Sequence, residues 1–196
     1  MHLIGIAGPS GSGKTELARA LAVALGAPIV SLDSYYRDLG RLPFEERART
    51  NFDLPDAIEI ELLLAHLGSL AGGGEAEIPV YDFTRHLRTD RTETVRAGQF
   101  GVLEGLWTLY WEDLRRLLRT KVYVDTADRV CFERRLARDI GERGRSAESV
   151  AARYAAMTRP MARRYVLPER RFADLVVSGV QPIEESVKAV RALLGR

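Results

Sequence analysis

The run Gly8-Pro9-Ser10-Gly11-Ser12-Gly13-Lys14-Thr15 holds the residue types that can cradle a chain of phosphates. Gly8, Gly11 and Gly13 let the backbone turn sharply, so that the N–H groups of this loop, Ser10 and Ser12 included, point into one anion-binding hollow. Lys14 adds a mobile full charge for the outer phosphates, and the Thr15 hydroxyl is placed to bind the magnesium that accompanies them. Three acids could complete the chemistry, because Asp33, Glu104 and Asp125 each close an apolar run. Next to a metal-bound triphosphate, one acid can take a proton from an attacking hydroxyl, and another can ligate magnesium directly or through water. Taken singly, Asp33 and Glu104 read equally as turn residues. The loop itself reads as a nucleoside triphosphate site.

Such residues need elements to bring them together. The apolar run His2 to Ala7 precedes the loop, and Glu16 to Leu25 follows it with apolar residues at helical spacing, giving the order strand, loop, helix. A second strand is expected over Pro28 to Leu32, ending at Asp33. A helix is expected from Pro55 to Leu70, stopped by Ala71-Gly72-Gly73-Gly74. Between 75 and 97 the extended stretches Glu77 to Phe83 and Thr92 to Val95 suggest an inserted antiparallel hairpin. Phe100 to Leu103 reads as a buried strand ending at Glu104-Gly105, Trp111 to Leu118 as a short helix, and Lys121 to Val124 as a strand closing at Asp125. Asp128 can cap a helix to Ile140, which Gly141 and Gly144 break, and Ser146 can cap a second, limited by Pro160 and Pro168. Leu175 to Val177 and Ile183 to Leu194 supply a last strand and helix. The alternation implies one α/β domain over 1–196, with a P-loop NTPase-type parallel sheet flanked by helices and a helical region at 128–168. In such a sheet ligands gather at the carboxyl ends of the strands, where the loop and the three acids lie.

The composition sets bounds on the rest. A hydrophobic fraction of 46% and a charged fraction of 29% are those of a globular protein, and no apolar run is long enough for a membrane span. The net charge of +2 is too small to argue for nucleic acid, and the one cysteine, Cys131, allows no internal disulfide. With no targeting segment in view, a cytoplasmic location is expected. Arginines crowd the segment from Arg129 to Arg171.

Six stretches in family order resemble the uridine kinase (uridine–cytidine kinase) family of P-loop kinases. They are Gly8 to Thr15, Asp33-Ser34-Tyr35-Tyr36, Asn51-Phe52-Asp53-Leu54-Pro55-Asp56-Ala57, Pro79-Val80-Tyr81-Asp82-Phe83, Glu104-Gly105, and the arginine-rich run from Arg134 to Arg145. The resemblance implies phosphorylation of the 5′-hydroxyl of uridine and cytidine by ATP or GTP with Mg2+, in pyrimidine salvage, by a homotetramer. It makes Asp33 the general base, and gives Thr15 and Glu104 the magnesium, with Asp33 assisting. Asp53 and Arg135 would grip the ribose hydroxyls, with Tyr36 in the same pocket. Tyr81 and His86 would read the pyrimidine edge, and Phe52 and Phe83 would sandwich its face. Arg138 and Arg143 would be lid arginines acting with Lys14 on the transferring phosphoryl group. Arg145 would lie nearer the base; Leu54, Glu59, Arg153 and Trp107 depart from the family pattern, and the extra cation of Arg153 and the larger ring of Trp107 could narrow or retune the nucleoside pocket. Each assignment has a plainer counterpart: Asp53 as a helix cap, Phe52 and Phe83 as core, His86 as solvated loop, and Arg134, Arg138 and Arg145 as partners of Asp139 and Glu142 on a solvated helix face. Two other functions stay open. One is a related P-loop kinase acting on phosphoribulose, pantothenate or nicotinamide riboside. The other is a nucleotide-binding protein without transferase activity, which the absence of an Asn-Lys-x-Asp guanine signature disfavours.

Overall fold

A computed structural model describes residues 1–195. Strand β1 (His2–Ala7) runs through the glycine-rich loop into helix α1 (Lys14–Leu25), and β2 (Ile29–Ser31) follows. Next come α2 (Phe44–Arg49), α3 (Ile60–Ala71) and the antiparallel pair β3 (Glu75–Asp82) and β4 (Leu87–Arg96). The remainder is β5 (Phe100–Gly105), α4 (Glu112–Leu117), β6 (Thr120–Asp125), α5 (Asp128–Gly141), α6 (Ala147–Arg153), α7 (Arg159–Met161), β7 (Leu175–Ser178) and α8 (Ile183–Leu194). Five strands form a parallel sheet in the order β2-β5-β1-β6-β7.

The central strands are apolar through their middles, over 3–7, 101–103 and 122–124, because both faces of the sheet are covered there. Leu3, Ala7, Leu103 and Tyr123 point into one core, with Trp107, Leu63 and Leu67. Their alternate neighbours Ile4, Ile6, Val102, Val122 and Val124 point into the other, against Leu17 and Leu21 of α1 and Val190 of α8. Register does the positioning: Ser31 of β2 lies opposite Glu104 of β5, and Ile6 of β1 lies opposite Glu104 on the other side. The loop after β1 therefore opens beside the acid that closes β5.

Three local expectations are corrected. No single helix spans Pro55 to Leu70. A 3₁₀ turn covers Pro55–Ala57, Ile58 is extended and bridges Tyr36, and α3 begins at Ile60. Two backbone bonds, Arg37 N–H to the Ala57 carbonyl and Glu59 N–H to the Tyr35 carbonyl, both 2.8 Å, take the groups a helix would have used. Asp128 opens α5 but does not cap it; its carboxylate accepts the Tyr154 hydroxyl at 2.8 Å and pairs with Arg159 at 2.7 Å. Ser146 does cap α6, accepting the Ser149 N–H at 3.2 Å. Pro160 does not end that helix. A π-helical turn over Tyr154–Thr158 leads into α7, a second over Ala162–Val166 follows, and a 3₁₀ turn over Leu167–Phe172 ends the run. The wider turns accommodate the bond that proline cannot donate.

Candidate active site

Gly11 and Gly13 take φ of +84° and +98°, left-handed values open to glycine, and they bend the loop around its hollow. The loop is also clamped from outside. Arg134 reaches the Gly179 carbonyl at 2.9 Å and the Ser12 carbonyl at 3.4 Å, and the Thr126 hydroxyl donates to the Ser12 carbonyl at 2.9 Å. Clamping the carbonyls outward leaves the N–H side for an anion. Lys14 and Thr15 open α1, whose N-terminal dipole adds positive potential at the same point.

Glu104 is buried and held by two hydroxyls: Thr15 donates to Oε2 at 3.1 Å, and Ser31 donates to Oε1 at 2.9 Å. Two residues beyond Ser31, Asp33 sits in the 3₁₀ turn Leu32–Tyr35, and its Oδ1 is buried with no partner. Burial, and next the charge of Glu104, raise the Asp33 pKa, while Lys14, Arg143 and Arg138 act against that rise. Hydroxyl and carboxylate oxygens are hard donors of the kind magnesium takes together with substrate phosphates, so Thr15, Glu104 and Asp33 suit that ion. Among the described residues no group of three His, Cys, Asp or Glu side chains could hold a metal by themselves. Asp125 is not part of this set: it pairs with Arg170 at 3.3 Å.

One cleft joins Ser10, Lys14, Thr15, Asp33 and Glu104 to an aromatic end formed by Tyr36, Phe52, Tyr81, Phe83 and His86. Tyr36 is buried and donates to the Phe52 carbonyl at 3.3 Å; burial and then Asp33 hold its pKa well above the usual tyrosine value, so it stays protonated. The Tyr81 hydroxyl is buried with no partner. His86 takes φ +53° and stacks on Phe52, with centroids 5.3 Å apart and an interplanar angle of 13°. One face of Phe52 is thus covered by His86. Burial, then Arg145 and Arg153, lower the His86 pKa and keep the ring neutral. Phe83 is 38% exposed and carries the Arg143 guanidinium 5.1 Å from its centroid. Phe83 is therefore no core residue, whereas Phe52 is partly buried and packs against the core as well as lining the cleft.

Asp53 caps nothing. Its Oδ2 accepts the Thr158 hydroxyl at 2.8 Å, and Oδ1 lies 3.7 Å from Arg135. The arginine-rich segment is no solvated helix face either. Asp139 is fully buried, and four guanidiniums converge on it: Arg138 with Nε and Nη2 at 3.1 and 2.9 Å, Arg145 at 3.1 Å, Arg143 at 3.5 Å and Arg135 at 3.7 Å. Burial alone would raise the Asp139 pKa, but Arg138, Arg135 and Arg143 outweigh it and hold it low. All four arginines line the cleft, and so does Arg153, whose guanidinium reaches the Ala48 and Thr50 carbonyls. Trp107, expected to narrow the pocket, is fully buried in the core, and it is Leu106 that faces the cleft. Ser31, Thr158 and Asp139 contact residues that line the cleft, and sequence reasoning missed them or set them aside. Only Asp139 carried a local signal, four residues after Arg135 on one helix face.

A parallel sheet with this loop, an acid beside it and arginines closing from a helical region defines a P-loop kinase. The model of the Phosphoribulokinase / Uridine kinase family matches residues 3–184, and the chain belongs to that family. It is 44% identical over 180 residues to the uridine kinase of Chloroflexus aggregans, covering 90% of this chain and 86% of that protein. It is 44% identical over 178 residues to the uridine kinase of Deinococcus deserti, covering 89% and 86%. The solved phosphoribulokinase from Rhodobacter spheroides shares the fold, with a TM-score of 0.60 at 17% identity over 93% of this chain and 74% of that one. Among the described residues no helix is long and apolar enough to cross a membrane.

Proposed function

We propose that the protein phosphorylates the 5′-hydroxyl of uridine and of cytidine, with ATP or GTP as donor and magnesium as the accompanying ion, in pyrimidine salvage. One observation carries the reading: the unpartnered Asp33 oxygen lies in the cleft that connects the phosphate loop to the aromatic end. In this reading the triphosphate lies on the loop N–H groups with its outer phosphates at Lys14. Thr15 and Glu104, with Asp33, would hold the magnesium ion, which when bound would supply charge neutralisation for the transferring group. Asp53 and Arg135 orient the ribose diol, a carboxylate being able to accept from both hydroxyls. Tyr81, His86, Phe52 and Phe83 form the base pocket, with Tyr36 beneath. Asp33 takes the proton of the 5′-hydroxyl as its oxygen attacks in line, and Arg138 and Arg143 stabilise the phosphoryl group as it moves.

The 44% identity to uridine kinases over nine-tenths of the chain supports this acceptor over phosphoribulose, pantothenate or nicotinamide riboside. The test is ADP release against all of these acceptors with MgATP and MgGTP. Uridine and cytidine are expected to stimulate release and the others not. Failure of both pyrimidine nucleosides would overturn the assignment.

A further inference from the structure

Helix α2 buries no residue, and Arg41 through Glu46 are all exposed. A six-residue helix has neither the length to persist alone nor, here, an apolar face to dock with. Phe44 lies beside the His86 ring, with centroids 6.3 Å apart, and the rest of the helix's fastening is polar. Arg153, the last residue of α6, crosses to this segment, Nη1 donating to the Ala48 carbonyl at 3.2 Å and Nη2 to the Thr50 carbonyl at 2.9 Å. Arg47 makes a second tie, from Nε to the Arg85 carbonyl at the hairpin turn at 3.1 Å. From Thr50 the chain runs directly into Phe52 and Asp53. Thr158, whose hydroxyl binds Asp53, stands five residues after Arg153, at opposite ends of the π-helical turn Tyr154–Thr158. The two residues stand at the i→i+5 hydrogen-bond spacing of a π turn, and both donors reach the same strip of chain, 48–53.

We propose that Arg153 is a positioning residue for the acceptor: it fastens segment 44–50 to α6 and so sets Phe52 and Asp53 in the cleft. A planar guanidinium can hold two carbonyls at once, which a lysine ammonium on a flexible stem does poorly. The effect on catalysis rests on the reading that Phe52 and Asp53 receive the nucleoside; the fastening does not.

Two measurements separate these. Amide hydrogen exchange in the free protein reads the fastening, and Arg153→Ala is expected to speed exchange over 44–53 by roughly thirtyfold, as loss of two hydrogen bonds of ordinary net strength would. Arg153→Lys is expected to fall between. Exchange unchanged at 44–53 would overturn the proposal. Steady-state kinetics read the positioning: the KM for uridine is expected to rise roughly tenfold, with kcat and the KM for ATP little changed. A loss shared equally by both substrates would overturn it, as that marks general loosening. If the unaltered protein does not turn over uridine, the acceptor reading fails and the exchange arm still decides the fastening. Should Arg153→Ala not fold, Arg153→Gln, able to reach one carbonyl at most, carries the same test.

Discussion

Asp33 is a buried acid with an unpartnered oxygen, and the proposed base role would put the cost of burying it to use. Its raised pKa means the folded chain holds this proton more tightly than the unfolded chain does. The group therefore favours folding fully below its unfolded-chain value, and that contribution is lost as pH rises through the folded value. Asp33→Asn is thus expected to unfold at a higher temperature than the parent at neutral pH, while kcat falls by about 10²–10⁴-fold and triphosphate binding is kept. Thermal melts and single-turnover assays check this; unchanged turnover would remove Asp33 from the chemistry. Asp139 shows the opposite sign. Its pKa is held low, so its stabilisation is present above the unfolded value and lost as pH falls through the folded one. Asp139→Leu would leave four guanidiniums without their shared anion, and a loss of about 3–5 kcal/mol is expected in denaturant titration at neutral pH.

Elements set where these residues meet, and they differ in how much of that the chain reveals locally. Helix α8 lies at the residues its periodicity marks, and the hairpin lies within 75–97 as its alternation implies. The phosphate loop is legible because its glycines are a backbone demand. A Cβ on Gly11 would lie 2.3 Å from the Cys131 carbonyl oxygen, at a φ that already disfavours a side chain. Gly11→Ala must therefore move the loop off α5, with an expected cost of about 1–3 kcal/mol and a raised KM for the donor. A donor KM equal to that of the parent would show that the loop tolerates the shift. Other features were hidden because their causes are distant in the chain. Thr158 meets Asp53 across 105 residues. Trp107 follows a site acid yet faces the opposite way, into the core. The break at Ile58 depends on a bridge to Tyr36, and the continuation past Pro160 depends on π turns that no local signal marks. Asp139 looks like a surface partner in the sequence; only its burial shows it to be the centre of the arginines.

At the scale of the whole molecule, the cleft is unevenly charged although the chain is not. Lys14, Arg135, Arg138, Arg143, Arg145 and Arg153 line it, opposed by the carboxylates Asp33, Asp53 and Glu104, while the formal net charge of the chain is only +2. Asp139 offsets part of the excess from beneath, and the remainder is self-repulsion stored in the folded state. That repulsion falls when phosphates enter, because polyanions bridge cations that belong to the loop and to the helical region. Tripolyphosphate alone, without nucleoside or metal, should therefore raise the melting temperature. A bound anion at a hundredfold excess over its Kd contributes about 2.7 kcal/mol, or roughly 5–10 °C for a domain of this size. Sodium chloride at matched ionic strength screens the same charges without bridging them and should give a much smaller shift. Equal shifts from the two salts would mean that screening alone explains the effect, and that the arginines around Asp139 do not act as a phosphate clamp.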